Sequence, residues 1–149
     1  MRELYKMIDR WRHEGVVLLP PEPASVVRES FAKIGAAPTS DVVSMYAALG
    51  GMREMDREYW RLWSLPEIQV ENATGISTGI LFSDYLINCW SYRLVQNAND
   101  TSSVVADHFD YKQCIPVANT LEEFFRMYAE NSYQVLEGPL PNPATSGDA

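Results

Sequence analysis

A chain of 149 residues is long enough for one domain with a substantial core, since a domain of this size buries about 68–70% of the surface its unfolded chain exposes. Hydrophobic residues make up 46% and charged residues 21%, the balance of an ordinary globular protein. Twelve Lys and Arg against twenty Asp and Glu leave a net charge of −8. That charge argues against nucleic-acid binding, which depends on neutralising phosphates with Lys and Arg. Apolar runs are short: the Val16–Leu19 run stops at Pro20-Pro21, well below the roughly 18 residues of a membrane span. Residues 1–15 are peppered with charge, unlike a signal peptide. Two cysteines, Cys89 and Cys114, are too few for a disulfide framework. The expectation is a soluble, acidic, cytoplasmic domain without cofactor.

Residues 3–14 place Leu4, Met7, Ile8 and Trp11 at the spacing of an amphipathic helix, with Gly15 as its stop. Residues 16–19 form a short buried connector. Residues 25–34 predict a second helix that buries Val26, Val27, Phe31 and Ile34. Residues 41–49 predict a third, with Ser40 as N-cap and Val42, Met45, Tyr46 and Leu49 facing inward. Gly50-Gly51 ends it, because glycine readily adopts the left-handed conformation of a helix terminus.

The middle of the chain changes character. Residues 59–63 predict a strand, with Trp60 and Leu62 opposite Tyr59 and Trp63. Ser64 and Glu67 have capping-box spacing, so a short helix follows. Residues 80–87 and 88–96 read as consecutive strands. In the second, Trp90, Tyr92 and Leu94 alternate with Ser91 and Arg93. Residues 97–100, Asn-Ala-Asn-Asp, supply a turn, and residues 104–109 and 112–117 two further strands. Thr120 and Glu123 open a last helix to about Asn131, with Leu121, Phe124, Phe125 and Tyr128 as its packing face. Residues 138–149, rich in proline, read as a flexible tail. Helices, then strands, then a closing helix predict an α+β fold with a central antiparallel meander, one domain over residues 1–137.

Signatures of chemistry are sparse. Gly50-Gly51 is followed by Met52-Arg53, not by the Lys-Ser pair of a phosphate-binding loop. His13, Cys89, His108 and Cys114 lack metal-ligand spacing, so no metal is expected. Asp107-His108-Phe109-Asp110 is the best candidate for acid–base work, since a carboxylate beside a histidine raises its pKa. No nucleophile or substrate clamp accompanies it, so no catalytic residue is assigned. The aromatic set Tyr59, Trp60, Trp63, Trp90 and Tyr92 either lines a ligand pocket or fills the core.

The order of these pieces resembles the SUKH superfamily, named partly for a yeast regulator of cell-wall assembly. Its members show a helix ending in an Asn-Gly or Gly-Gly pair, a tryptophan-containing strand, a turn, an antiparallel meander and a closing helix. Residues 41–51 match the helix and its stop, and residues 63–68 (Trp-Ser-Leu-Pro-Glu-Ile) match the strand-to-turn segment. Residues 80–85 match the next strand and residues 117–124 the start of the last helix, so the similarity covers about residues 18–130. The resemblance implies a non-catalytic binding module. Bacterial members are typically immunity proteins that neutralise a toxin, often a nuclease; fungal relatives are regulatory scaffolds. Small-ligand binding by the aromatic set is the other alternative.

Charge placement adds to this. Residues 1–62 carry nine basic and nine acidic groups, whereas residues 63–149 carry three basic and eleven acidic, so the whole −8 lies in the second part. An acidic face toward a basic toxin domain is the expected partner surface, with Glu67, Glu71, Asp84, Asp100, Asp107 and Asp110 as its candidates. Asp84 shares a strand face with Ile80, Phe82 and Leu86, which marks it equally as a buried, hydrogen-bonded acid.

Overall fold

The computed structural model describes residues 1–108 and 113–139. Within them the chain is α+β. Helices α1 (Arg2–His13), α2 (Ala24–Ala32) and α3 (Ser40–Ala48) come first, with the two-residue strand β1 (Leu18–Leu19) between α1 and α2. Strands β2 (Gly51–Met52) and β3 (Trp60–Leu62) follow, then α4 (Leu65–Glu71). Strands β4 (Ile80–Tyr85), β5 (Trp90–Gln96), β6 (Ser102–Asp107) and β7 (Ile115–Ala118) complete the meander, and α5 (Leu121–Glu130) closes it before a 3₁₀ turn at Ser132–Gln134. The main sheet runs β3-β4-β5-β6-β7, every neighbour antiparallel.

The apolar faces of α1 and α5 explain how the core closes. Leu4, Met7, Ile8 and Trp11 on α1, and Leu121, Phe124, Phe125 and Tyr128 on α5, are all buried. They meet at Trp60, which stacks on Trp11 at 5.8 Å and packs against Phe124, Phe125 and Tyr128 at 5.6–6.2 Å. Tyr92, Leu94, Val104 and Ala106 extend the same inner face along β5 and β6.

The residues between α3 and β3 join the layers. Asp56 is 5% exposed, and its Oδ2 accepts from Trp11 Nε1 at 2.8 Å and from the Tyr128 hydroxyl. Its Oδ1 accepts from the backbone N–H groups of Glu58 (2.9 Å) and Trp60 (3.1 Å). One carboxyl group thus ties α1, α5 and the start of β3 together. Desolvation of the buried hydroxyl and the neighbouring Asp56 hold the Tyr128 pKa far above its usual value, so it remains a donor.

Several expectations shift in detail. The 16–19 connector does more than bury itself, because Leu18 and Leu19 pair with Met52 and Gly51 in a second small sheet. Gly50-Gly51 serves this approach rather than a left-handed helix cap. Leu49, the C-cap of α3, is extended, and a Cβ on Gly50 would lie 2.2 Å from the Pro20 carbonyl oxygen. Thr39, not Ser40, is the α3 N-cap. Val26 is exposed rather than buried. The strict alternation expected of β4 fails: its register shifts between Leu81 and Ser83, and Phe82, Ser83, Asp84 and Tyr85 are all buried, which requires cover on both faces of the strand. Of the two predicted capping boxes one forms in full and the other by half. Ser64 and Glu67 make the reciprocal box on α4, while Thr120 accepts from the Glu123 N–H and Glu123 turns to the Asn119 N–H instead.

Candidate functional site

The predicted acidic residues come together only in part: Arg61, Asp84, Ser91 and Asp107 pair in one cross-strand row on the same face, with Glu67 on Arg61, whereas Asp100 lies at the opposite end of the sheet. Asp84 is buried, and its Oδ1 accepts from Trp63 Nε1 at 2.6 Å while Oδ2 accepts from the Asn88 N–H at 3.0 Å. Arg61 lies 3.7 Å from it and makes a two-pronged pair with Glu67 at 2.6 and 3.0 Å. Burial pushes the Glu67 carboxyl up, but hydrogen bonds from Arg61 and Ser64 and the Arg61 charge outweigh it, leaving its pKa below the usual value. This Arg61–Glu67–Asp84 group anchors α4 to the sheet, so two of the six candidate acids are spent on structure. Glu71 is exposed at the end of α4.

Asp100 sits at the β5–β6 turn, where its side chain accepts from the Ser40 N–H and its carbonyl from the Ser40 hydroxyl, joining the turn to α3. Asp107 lies at the other end of β6 and accepts from Arg93 Nε at 2.7 Å. At about 3.3 Å per strand residue the two lie on the order of 20 Å apart, at opposite ends of the sheet. Asp110 lies outside the described residues, as does the 140–149 part of the predicted tail. Of the acid–base candidates, Asp107 is held by Arg93, and the His108 ring packs against Trp90 with centroids 4.5 Å apart and planes tilted by 45°. Burial and the nearby Asp107 raise the Cys114 thiol pKa, although Arg93 acts in the opposite sense. A raised pKa keeps it a poor nucleophile near neutrality.

The aromatic set does not assemble as a pocket. Trp60, Trp63 and Tyr92 are buried, the Tyr92 hydroxyl donating to the Val135 carbonyl; Trp90 is half-buried, and Tyr59 is exposed. Trp63, expected on the opposite face from Trp60, is buried as well because Asp84 and the Arg61–Glu67 pair enclose its side of the sheet. An apolar groove of about 360 Å³ does exist, lined by Phe31, Ala37, Val42, Ile76, Ile80 and Val95 among others, but none of the aromatic set lines it. Among the described residues no three His, Cys, Asp or Glu side chains come together as a metal-binding group. No helix among them is long and apolar enough to cross a membrane.

The feature that sequence reading missed is the β4–β5 tip. Leu86, Ile87 and Asn88 all have left-handed backbone, with φ of 54°, 53° and 62°. Such a conformation costs roughly 1–2 kcal/mol for each residue bearing a Cβ, and a β-branched residue there is an outlier. The strained turn is held by the Asn88 N–H on buried Asp84, by the Cys89 N–H on the Leu86 carbonyl and by the Leu86 N–H on the Tyr59 carbonyl. Tyr59 is itself left-handed at φ 65°. The outcome is exposure: Ile87 is 79% exposed, Tyr59 59% and Leu86 38%. Beside them Glu58, Tyr85, Ser132, Tyr133, Leu136 and Glu137 line a cleft of about 190 Å³. No glycine marks this turn and Asn88 is the one residue in it that tolerates such backbone well, so the sequence carries little signal of it. Replacing Ile87 by glycine is expected to raise stability by about 1 kcal/mol, because strain is relieved and little buried surface is lost. Chemical denaturation would measure this, and an unchanged or lowered midpoint would show that the turn is unstrained.

No protein-family model matches the chain, and no curated protein matches it.

Proposed function

We propose that this chain is a non-catalytic, SUKH-like protein-binding domain that acts in the cytoplasm as an immunity protein against a basic toxin domain. The observation that carries this reading is the charge distribution: the whole −8 lies in residues 63–149. A nuclease-type toxin holds phosphates in a positive groove, and an acidic protein is drawn to such a surface by complementary charge. The order and spacing of the motifs that resemble the SUKH superfamily support the same assignment.

The test is whether an adjacent reading frame encodes a secreted protein with a toxin-like C-terminal domain, then coexpression with that domain and stopped-flow association of the purified pair. Growth should be rescued. The association rate should fall as salt rises, because the Debye length shortens from about 8 Å at physiological ionic strength to about 3 Å at 1 M. Absence of rescue would sink the immunity reading, and a salt-independent rate would remove the electrostatic mechanism.

A further inference from the structure

We propose that the apolar tip formed by Tyr59, Leu86 and Ile87, together with the acidic cleft beside it, docks a protein segment carrying an arginine or lysine next to apolar side chains. The proposal rests on the protein-binding reading above and not on the partner being a toxin.

Leu86 and Ile87 do not pack into the core; strained backbone, tied to a buried carboxylate, turns them outward. An exposed apolar group held rigidly loses little freedom when it is covered, which favours its use in recognition. The Leu86 N–H donates to the Tyr59 carbonyl, which brings these two exposed residues together at the tip, with Ile87 next in the chain. Tyr133, also 59% exposed, adds an aromatic wall across the cleft.

Charge names the occupant. Glu58 and Glu137 both line the cleft. Glu58 Oε1 lies 3.3 Å from Arg10, and Glu137 Oε1 accepts from the Tyr85 hydroxyl at 2.8 Å. Burial and Glu137 hold the Tyr85 pKa well above its usual value, so that hydroxyl stays a donor and brings no charge. Oε2 of each glutamate has no hydrogen bond or ion pair among the described residues. Arg10 is shared between Glu58 and Glu14, at 3.3 and 3.4 Å, and so offsets no more than one of the cleft's two carboxylates; Arg57, exposed next to Glu58, makes no ion pair among the described residues. One carboxylate is therefore left for an outside cation in a cleft lined by Tyr85, Tyr133 and Leu136, with Tyr59 and Leu86 next in the chain to its lining residues Glu58 and Tyr85. Arginine fits best, because its planar guanidinium can pair with a carboxylate and stack on a tyrosine ring at once.

Two acetylated tripeptide amides, Leu-Arg-Trp and Leu-Glu-Trp, provide a probe that needs no identified partner. Titrated to 5 mM into ¹⁵N-labelled protein, the arginine peptide should shift amide resonances of Glu58, Tyr59, Leu86, Ile87, Tyr133 and Glu137. The glutamate peptide should bind at least tenfold more weakly. Ile87→Ser and Glu137→Gln should each weaken the arginine peptide at least threefold while the protein remains folded by its NMR spectrum. No shifts, shifts centred elsewhere, equal response to both peptides or indifference to both substitutions would overturn the proposal. If toxin rescue holds but the peptide does not map to the tip, this surface is wrong and the immunity reading stands. If the peptide maps to the tip and rescue fails, the surface stands and the immunity reading falls.

Discussion

Replacing Asp56 by alanine is expected to destabilise the fold by at least about 4 kcal/mol. Four donors converge on this one carboxyl group: Trp11 Nε1, the Tyr128 hydroxyl and the N–H groups of Glu58 and Trp60. Each buried donor left without a partner costs about 1–3 kcal/mol. Local relaxation and entering water recover part of that sum. For a domain of this size 1 kcal/mol shifts the thermal midpoint by about 3 °C, so a fall of about 12 °C should be seen. Asn is the informative control, since its carbonyl can retain one pair of donors while its NH₂ faces the other. Asp56→Asn should therefore lie between wild type and Asp56→Ala. An alanine variant within about 1 kcal/mol of wild type would show that the three elements are not joined through this group.

Emptying the Phe124 position should have a comparable effect through a different cause. The side chain is fully buried, with Trp60, Tyr92, Phe125 and Tyr128 rings at 5.3–6.3 Å. Phe124→Ala loses the transfer energy of the ring and leaves a cavity that rigid aromatic neighbours cannot fill, for about 3–5 kcal/mol. Denaturant unfolding should show a lower midpoint at similar slope, because the loss is one of stability rather than of surface exposed. Phe124→Leu should recover part of the difference by keeping branched volume. An unchanged midpoint in the alanine variant would mean that α5 does not close the core as described.

Glutamates and aspartates illustrate why function was harder to read than fold. Asp56 lies in the run Glu54-Met55-Asp56-Arg57-Glu58, which as a sequence looks like a solvated charged loop. Its role depends on Trp11 and Tyr128, 45 and 72 residues away. Asp100 and Asp107, seven residues apart in sequence, lie at opposite ends of one strand. A net charge counts carboxylates without telling which already have a partner, and Arg61 and Arg93 had claimed Glu67 and Asp107.

What the sequence determined by itself is local. Apolar spacing located the packing faces of α1 and α5, Ser64 and Thr120 marked two helix starts, and the alternation through Trp90, Tyr92 and Leu94 identified a strand with one covered face. These signals arise within a turn or two of chain, where helix and strand periods and capping hydrogen bonds operate. Tertiary structure alone decided the rest. It paired Leu18-Leu19 with Gly51-Met52, shifted the β4 register, covered Ser83 and Asp84 as well as Phe82, and held Leu86 and Ile87 in left-handed backbone against their own preference. Each of these outcomes is set by a contact between segments distant in sequence, and a local conformation that disfavours itself persists only because such contacts outweigh its strain.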